Sequence, residues 1–386
     1  MGDESQFTRR SLLATTTTAL AVGVSGCLGG GTDSADESTT QQTDEPTTES
    51  TQTETTTADP APSLSEFNYP EGSSQDGLDG QTFYQTHEST ITGAGTLTVD
   101  LNADRVYSGD GQTFEDSTTE TRALGSSGIL VEREQGDVVE TVWSPSAEDV
   151  GYVRMEQGFD TAYRIDNQGP SPNDIAVLRQ VKGYLRGGSW GEATEIVEDE
   201  DGYAVVYEST GIASEQQLQR AIPAESINEF DATIQVSSEG YVNEISFEAT
   251  ADQGSQTLES DTTITFQSVG ETTVTAPEWA ATAQEQGVRF DASIAGDGTA
   301  VALEMVNGND LPSDARLALS TAQARGTRPL PDDFAVGDQL HLALSDNGEL
   351  LIGQDGVPNG ASELGDFASV TIRSGSRPFQ YFVEQL

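Results

Sequence analysis

The sequence is poor in basic residues, in cysteine and in histidine. Its 386 residues include 17 Lys and Arg, with Lys182 as the single lysine, against 65 Asp and Glu, so the formal net charge is −48. Such a polyanion is a poor candidate for binding nucleic acid or anionic lipid through its surface, because phosphate affinity comes from clustered basic side chains. One cysteine cannot form an internal disulfide or a cysteine-based zinc site, and two histidines leave little material for a metal centre. We therefore expect no nucleic-acid partner and no cofactor.

The acidic residues run along the whole chain and alternate with apolar residues, unlike those of a disordered acidic tail. In molar salt the Debye length falls to about 3 Å, so repulsion between carboxylates is screened while they keep the surface hydrated. Acidity combined with near-absent lysine therefore predicts a halophilic archaeon as the source. Acidic clusters such as residues 198–201 are predicted to be solvated surface and not metal sites.

The first 26 residues have the pattern of an export signal. Arg9 and Arg10 precede an uncharged apolar stretch, residues 14–24, which is too short to span a bilayer. The paired arginines resemble a twin-arginine signal, which exports folded protein. Val24 to Cys27 resembles the lipobox of prokaryotic lipoproteins, and this resemblance implies cleavage before Cys27 and lipidation of its thiol. We expect a lipid-anchored protein on the extracellular face of the cell membrane, because no other run approaches the roughly 20 apolar residues of a span.

Residues 27–66 are predicted to form a disordered stalk. From Gly31 to Ser63 the sequence has no Val, Ile, Leu, Met, Phe, Tyr or Trp, so this stretch cannot bury apolar surface to offset the entropy of ordering. Two folded domains are predicted after the stalk, over residues 67–282 and 286–386.

The first predicted domain is mainly β with three helical segments. Helical spacing covers residues 78–90, 174–186 and 214–221, with Asp174 and Ser214 as the expected N-caps of the last two. Alternating apolar residues predict the strands. These strands are expected near residues 97–101, 129–131, 138–143, 152–155, 163–165, 195–197, 203–207, 233–236, 241–250 and 262–269.

In the sequence of the second predicted domain, apolar and polar residues alternate almost throughout. Roughly seven short strands are expected in about 100 residues, with turns at Asp297-Gly298 and Asn347-Gly348. This spacing is typical of an immunoglobulin-like β-sandwich, and another small antiparallel sandwich is the alternative.

Several motifs of the first domain, taken with the lipobox and the stalk, resemble a known group of proteins. They are the strand pattern over residues 240–247, the pattern over residues 262–266, and the closing Pro277-Glu278-Trp279. Together they resemble haloarchaeal lipoproteins that are distant relatives of the LolA-like and LppX-like lipoprotein carriers. The resemblance implies a curved antiparallel half-barrel sheet with covering helices, an apolar cavity for acyl chains or lipidated cargo, and no shared catalytic residues.

Twelve apolar residues are candidates for the wall of a groove between the sheet and the helices. The alternative is that they are ordinary core residues, and apolar composition does not separate a filled core from an open one. The candidates are Leu97, Val99, Leu178, Val181, Leu185, Val205, Ile234, Val236, Ile245, Phe247, Ile264 and Phe266.

Residues Gly187 to Gly191 match the G-x-S-x-G pattern of a serine nucleophile elbow. The pattern follows a predicted helix and precedes a predicted strand, which is the reverse of the order that the elbow requires. We interpret it as a glycine turn that ends the helix and holds a packed Trp190. His87 is predicted near the surface of the first helix, and His341 lies within a predicted strand of the other domain. We therefore expect no enzyme.

The expected function is the non-catalytic binding or carriage of a lipidic or other apolar ligand at the cell surface. One alternative is a structural or adhesive module that engages a protein partner through its strand edges. A second alternative is a solute-capture component for a transporter.

Overall fold

The computed structural model describes residues 61–199, 202–375 and 379–386. The predicted export signal with Arg9 and Arg10, the predicted lipidation site Cys27, and the predicted stalk up to residue 60 lie outside the described residues. Within the described ranges, no helix has both the length and the apolar character needed to cross a membrane.

A large antiparallel sheet of eleven strands dominates the fold, and it is curved but not closed. The predicted fold class, a mainly β protein with a half-barrel sheet, is confirmed. A short hairpin of β1 Ser73–Ser74 and β2 Gly77–Leu78 precedes the large sheet. The strands of that sheet are β3 Leu97–Gly109, β4 Gln112–Gly125, β5 Gly128–Gln135, β6 Val138–Pro145, β7 Gly151–Gln157, β8 Asp160–Asp166, β9 Gly188–Asp199, β10 Gly202–Ile212, β11 Ser226–Ser237, β12 Val242–Gln253 and β13 Gln256–Gln267.

The helices are few and short compared with the sheet. They are α1 Gly80–Ala94, α2 Pro172–Ile175, α3 Leu178–Gly187, α4 Glu215–Leu218 and α5 Ala280–Gln286.

The strand order explains how the helices come to cover the sheet. The order is β8-β7-β6-β5-β4-β3-β13-β12-β11-β10-β9, so the chain begins in the middle at β3 and runs by successive hairpins to one edge at β8. It then crosses to the opposite edge and returns from β9 to β13, which pairs with β3. The crossing segment contains α2 and α3 and therefore has to pass over one face of the sheet. We call the face that α1 and α3 cover the inner face, and the opposite face the outer face.

The first helix, α1, begins two residues later than predicted because Asp79 caps it. The Asp79 carboxylate accepts hydrogen bonds from the backbone N–H groups of Gln81 and Thr82, both at 3.0 Å. The helix then packs closely on α3, where a Cβ atom at Gly80 would lie 1.8 Å from the carbonyl oxygen of Leu185. A glycine is therefore required at the point where the two helices cross.

The predicted helix over residues 174–186 is two helices, α2 and α3. Ser171, and not Asp174, is the N-cap of α2, and the two side chains form a capping box in which each bonds the other's backbone N–H. The helical path breaks at Val177, whose φ of 44° and ψ of 29° lie in the left-handed region. The predicted helix over residues 214–221 is also shorter, because after Leu218 the backbone bonds tighten to the three-residue spacing of a turn.

Strand β4 was not expected from the sequence, and it is held mainly by its neighbours. Strand β4 is polar on both faces, with Thr118, Glu120 and Arg122 on its inner face, so it has no apolar alternation. It forms because it pairs with β3 along thirteen residues and with β5 along eight.

Both edges of the large sheet are covered by other parts of the chain. At the β8 edge, Ile165 donates its N–H to the carbonyl oxygen of Val288 at 2.9 Å, and Val288 donates its N–H to that of Tyr163 at 3.1 Å. At the β9 edge, Ala193 donates its N–H to the carbonyl oxygen of Gln75 at 3.0 Å. Covered edges remove the unpaired backbone groups that would otherwise recruit another strand.

The C-terminal part is a small sandwich of two four-stranded sheets around one core. The sheet orders are β14-β15-β18-β19 and β17-β16-β20-β21, and residues such as Phe290, Leu303, Leu319 and Val370 from the two sheets share a buried cluster. The immunoglobulin-like assignment stays a prediction. The strands are β14 Arg289–Ala295, β15 Ala300–Asn307, β16 Arg316–Thr321, β17 Arg325–Pro329, β18 Gln339–Leu344, β19 Leu350–Gly353, β20 Ala368–Arg373 and β21 Gln380–Gln385.

Specific contacts join the sandwich to the half-barrel. The side chain of Asn167 donates to the carbonyl oxygen of Phe290 at 2.9 Å and accepts from the Nε of Arg289 at 2.9 Å. Phe379 is buried against Val153 and Met155 on the inner face of β7. The predicted gap between the two domains, residues 283–285, lies inside α5, and Ala283 of that helix is buried against the outer face.

The register places four carboxylates in one row across the outer face. Asp104 of β3 lies opposite Asp261 of β13, Asp261 lies opposite Glu248 of β12, and Glu248 lies opposite Asp231 of β11. All four residues are exposed. We call these four residues the acid row. Like charges directly opposite each other on neighbouring strands destabilise a sheet, and salt screens their repulsion.

Neutralising the acid row is expected to stabilise the protein in dilute salt. Asp261→Asn removes two directly opposed like-charge pairs and should raise the free energy of unfolding by about 0.5–1.5 kcal/mol in dilute salt, with no gain in molar KCl. The control is Glu132→Gln, which removes the same charge from β5, where Thr121 and Thr141 are the cross-strand neighbours. Urea unfolding of both variants at two salt concentrations is the measurement, and equal gains for both variants would contradict the expectation.

Candidate functional site

All twelve residues predicted to line a groove lie in one hydrophobic core. Each is at most 8% exposed, and together they belong to the cluster that α1 and α3 form with the inner face of β3 and of strands β10 to β13. Side chains of α1 and α3 fill the space above the strands, for example Phe83 and Tyr184. Tyr184 packs on Phe247 with the ring centres 4.7 Å apart. The sequence pattern thus brings these residues together, and they pack against one another.

The inner face carries charged side chains on strands β4 to β8, unlike the part under α1 and α3. Val99 of β3 lies opposite Arg122 of β4, and along the next row Glu120, Arg133 and Glu140 lie directly opposite one another on β4, β5 and β6. This half of the inner face is therefore a mixture of ion pairs and valines, whereas the half under α1 and α3 is apolar.

A cavity of about 400 Å³ opens over this mixed half of the inner face. We call it the inner cavity. The helix α2 and the loop before it form one wall, and the strands β4, β5, β6 and β8 form the other. It is lined by Glu120, Arg122, Val131, Arg133, Glu140, Val142, Arg164, Asp166, Gln168, Gly169, Pro170, Asp174 and Ile175.

Glu120 is the buried carboxylate at the centre of the first ion-pair group. Arg122 donates through Nε to one carboxylate oxygen at 2.7 Å, and Arg133 donates through Nε to the other at 3.0 Å. Burial raises the pKa of the Glu120 carboxyl, but the two arginines outweigh burial and hold that pKa below its ordinary value. Glu120 is therefore ionised at neutral pH.

Arg164 is the buried cation at the centre of the second ion-pair group. Its side chain is 8% exposed, and it binds Glu140 at 3.0 Å and Asp166 at 2.8 Å. It also donates to the carbonyl oxygen of Gln380 at 3.0 Å, and Gln380 is the first residue of β21 in the sandwich. Burial lowers the pKa of this guanidinium, but the two carboxylates outweigh burial and raise the pKa above its ordinary value. One arginine thus joins the wall of the inner cavity to the sandwich.

The helix α2 is held over the inner cavity from several sides. Arg122 donates through Nη1 to the carbonyl oxygen of Asp174, and Ile175 is buried against Ile129 and Val131 of β5. Val177, the second residue after the end of the helix, is fully buried. Its backbone is in the left-handed region, which is an unusual and strained conformation for a β-branched residue. The strain persists because packing on both sides fixes the segment.

The inner cavity combines an apolar surface with a nearly balanced set of charges. Three arginines face four carboxylates in its lining, beside Val131, Val142 and Ile175. Such a wall suits an amphiphilic molecule, with an apolar part against the valines and a polar part against the ion pairs. In the described part of the chain, no group of three or more His, Cys, Asp or Glu side chains is arranged to hold a metal ion.

The sequence interpretation did not identify the residues of the inner cavity. A signal was present, because Glu120-x-Arg122 and Arg164-x-Asp166 place opposite charges on one face of a strand in a chain with few arginines. The pairing of Arg133 with Glu120 depends on which strands are neighbours. That order is not visible from local spacing.

The prediction that His87 lies near the surface of the first helix is wrong. His87 is fully buried under α1, where its Nδ1 accepts the backbone N–H of Val242 at 3.2 Å. Its ring packs edge-on against Phe266 at 5.1 Å between ring centres. Burial lowers the pKa of His87 to about 3, so this imidazole is neutral over the ordinary pH range.

The G-x-S-x-G pattern has the structural role inferred from its order. The helix α3 ends at Gly187 and β9 begins at Gly188, and Trp190 donates its indole N–H to the carbonyl oxygen of Leu185 at 3.0 Å. His341 lies on β18 of the sandwich.

Comparisons with solved structures give remote similarities. A DUF1329 family protein from Desulfovibrio piger is 9% identical, with 52% of this chain and 96% of that chain covered and a TM-score of 0.19. A putative outer membrane lipoprotein-sorting protein domain from Vibrio parahaemolyticus is 7% identical, with 52% and 95% covered and a TM-score of 0.21. The MucA/MucB complex of Pseudomonas aeruginosa gives 9% identity, 80% and 93% coverage and a TM-score of 0.18. No protein-family model and no curated protein matches the sequence. Similarities of this size carry no conclusion about function.

Proposed function

We propose that this protein is a non-catalytic binding module whose ligand is a small amphiphilic molecule held in the inner cavity. The observation that supports the proposal most is the composition of the lining, in which Val131, Val142 and Ile175 lie among three arginines and four carboxylates around about 400 Å³. Pockets for small molecules have this size, and a few placed polar groups beside apolar side chains orient their ligands. The ligand is thus an apolar body with a polar head.

The charges of the inner cavity restrict the polar head further. Each arginine of the lining already contacts a carboxylate, so a multiply charged anion would have to displace Glu120 or Glu140 from buried ion pairs. An uncharged or zwitterionic head can instead add hydrogen bonds to groups that stay paired. Arg133, whose side chain is 45% exposed, is the most accessible of the arginines that bind Glu120.

The predicted lipidic groove among the twelve core residues stays a prediction, and the packing favours the inner cavity as the binding site. Burial of an acyl chain gains about 0.8 kcal/mol per methylene. Insertion of a chain beside residues such as Val181 and Ile245, both fully buried, would have to displace side chains that already fill the core. The inner cavity needs no such displacement.

The proposed setting of the protein is the one expected from its first residues. The chain is exported through the twin-arginine route, carries lipid on Cys27, and is held on the extracellular face of a halophile's membrane. The mass of the peptide that begins at Cys27, in protein purified from its host, tests this part. An acylated amino-terminal cysteine is expected, and an unmodified Cys27 with residues 1–26 still attached would contradict it.

Filling the inner cavity is expected to abolish ligand retention. In Val142→Trp the indole would occupy the apolar side of the cavity, while Val139→Trp places the same side chain on the opposite face of the same strand, β6. The full chain and both variants are purified in high salt and extracted with organic solvent, and the extracts are compared by mass spectrometry. We expect a small amphiphile from the wild type and from Val139→Trp, and none from Val142→Trp. Equal retention by both variants would place the ligand elsewhere.

A second candidate function is the engagement of a protein partner through the sandwich. It is favoured by an exposed face of that domain which carries arginines and lacks acidic residues, in a chain that is otherwise strongly acidic.

A further inference from the structure

One face of the sandwich differs in charge from the rest of the protein. The core residues Leu317 and Leu319 of β16 and Val370 and Ile372 of β20 point inward, so the residues between them point outward. The outward residues of this sheet are Arg316, Ala318 and Ser320 of β16, Arg325, Thr327 and Pro329 of β17, Ser369, Thr371 and Arg373 of β20, and Val383 of β21. We call this surface the arginine face.

The arginine face is free of acidic residues although the chain has almost four acidic residues for each basic one. Among the described residues, Arg316, Arg325 and Arg373 form no salt bridge, whereas the arginines Arg122 and Arg164 of the half-barrel do. The three are exposed side chains on a surface of small Ser, Thr and Ala residues. Folding of the sandwich therefore leaves three exposed arginines on one face of the sheet, without a salt bridge in the described part of the chain.

Two of these arginines are placed where folding alone does not favour them. Arg316 of β16 lies directly opposite Arg373 of β20, and directly opposed like charges destabilise a sheet. Exposed apolar side chains lie on the same sheet, because Val383, opposite Thr371, is 50% exposed, and Phe367, which precedes β20 at the end away from Arg373, is 39% exposed. Arginine and aromatic residues are enriched in protein interfaces and acidic residues are depleted there. The composition of the arginine face is thus that of a binding surface.

The same chain carries a surface whose charge is opposite to that of the arginine face. The acid row lies on the exposed outer face of the large sheet, with Asp261 directly opposite Glu248. Directly opposed residues on neighbouring strands are separated by about 5 Å in both surfaces, so a pair of arginines can meet a pair of carboxylates. We propose that the arginine face of one copy docks on the acid row of a second copy.

This contact joins two different surfaces. Repeated from copy to copy, it gives a closed dimer or ring if the successive rotations add up to a full turn, and an open chain if they do not. It is electrostatic at its centre, with Phe367 and Val383 adding apolar contact at the edge. The association accordingly weakens as salt rises, and the apolar part limits that loss. The proposal is independent of the ligand of the inner cavity.

Charge reversal on the two surfaces tests the proposal, and all proteins carry Cys27→Ser so that no acyl group contributes. Variant A is Arg316→Glu with Arg373→Glu, and variant B is Asp261→Arg with Glu248→Arg. The molar mass of the full chain is measured by sedimentation velocity at micromolar concentration. We expect the wild type to associate and each variant alone to be monomeric. In variant A the pair of glutamates at positions 316 and 373 faces an acidic row, and in variant B the central pair of the row is basic and only Asp104 and Asp231 stay acidic.

A mixture of variants A and B is expected to associate again. The acid row of A and the arginine face of B are both unaltered, so this pair of surfaces can dock as it does in the wild type. The control is Arg179→Glu with Arg220→Glu, which reverses the same number of exposed arginines on the half-barrel and should associate like the wild type. Circular dichroism checks that every variant is folded. A monomeric wild type would overturn the proposal, and so would a mixture of folded A and B that stays monomeric.

Discussion

Replacing Arg164 with leucine is expected to destabilise the protein by about 1.5–3 kcal/mol, because the substitution removes the buried cation that binds two partly exposed carboxylates. Arg164 has a side chain that is 8% exposed, and it binds Glu140 at 3.0 Å and Asp166 at 2.8 Å. Its bond to the carbonyl oxygen of Gln380 is lost as well, so the contact between half-barrel and sandwich weakens. Urea unfolding in high salt measures the loss.

Two further variants show whether burial of the Arg164 ion pairs is the cause. Arg164→Lys keeps the positive charge but loses the two-pronged bond to Asp166, so an intermediate loss is expected. Arg105→Leu breaks a partly exposed pair with Asp116, which are 3.7 Å apart, and should cost less than about 1 kcal/mol. A loss for Arg164→Leu as small as that for Arg105→Leu would contradict the structural role of the second ion-pair group.

Acid is expected to destabilise the protein through His87. Burial lowers the pKa of His87 to about 3, whereas a histidine in the unfolded chain has a pKa of about 6.5. Between these values the unfolded chain binds a proton that the folded chain does not, so stability falls as pH falls from about 6.5 towards 3 and is fully present above that window. A shift of this size corresponds to about 4–5 kcal/mol over the whole window.

The variant His87→Asn isolates this contribution from the many carboxylates that titrate in the same range. Asparagine does not titrate, and its side-chain oxygen can accept the backbone N–H of Val242 that His87 Nδ1 accepts now. In the variant, the difference in unfolding free energy between neutral pH and pH about 4 should shrink by about 3 kcal/mol, which is the contribution of the unfolded histidine, while the carboxylates still contribute their part. Ile91→Val, a buried substitution on the same helix, should keep that difference. An unchanged pH dependence in His87→Asn would show that His87 is not the titrating group.

The mainly β class and the main core could be predicted from the sequence because both follow from local alternation, whereas the half-barrel sheet is what the family resemblance implies. All twelve candidate residues, Leu97 and Phe266 among them, are buried on one side of the sheet or on the helix above it. Alternation reports which side chains face inward, and it does so without knowledge of strand order. It does not report how densely the inward side chains pack. Here they pack against one another in one buried cluster, and the groove among them stays a prediction.

The inner cavity could not be predicted in the same way, because its residues meet only through the order of strands. Glu120 binds Arg133 because β4 and β5 are neighbours, and Arg164 bonds to Gln380 because the sandwich lies against β8. The burial of His87 likewise depends on where β12 passes under α1. Strand β4 was missed for the same reason, since its polar sequence forms a strand through pairing and not through an apolar face of its own.

The two proposals use both parts of the chain. In the first, the half-barrel would hold an amphiphile beside the ion pairs of the inner cavity; in the second, the arginine face of the sandwich would dock on the acid row of the half-barrel of another copy. Arg164 lies between the two parts, because it lines the inner cavity and also bonds to the first residue of β21.

The most direct test of the central claim is a crystal structure of the full chain purified from its host in high salt, without added ligand. The account predicts continuous electron density in the inner cavity, with an apolar part against Val142 and Ile175 and a polar end within hydrogen-bond distance of Arg133. Solvent alone in that cavity, with bound amphiphile found between α3 and the sheet or on neither face, would contradict it.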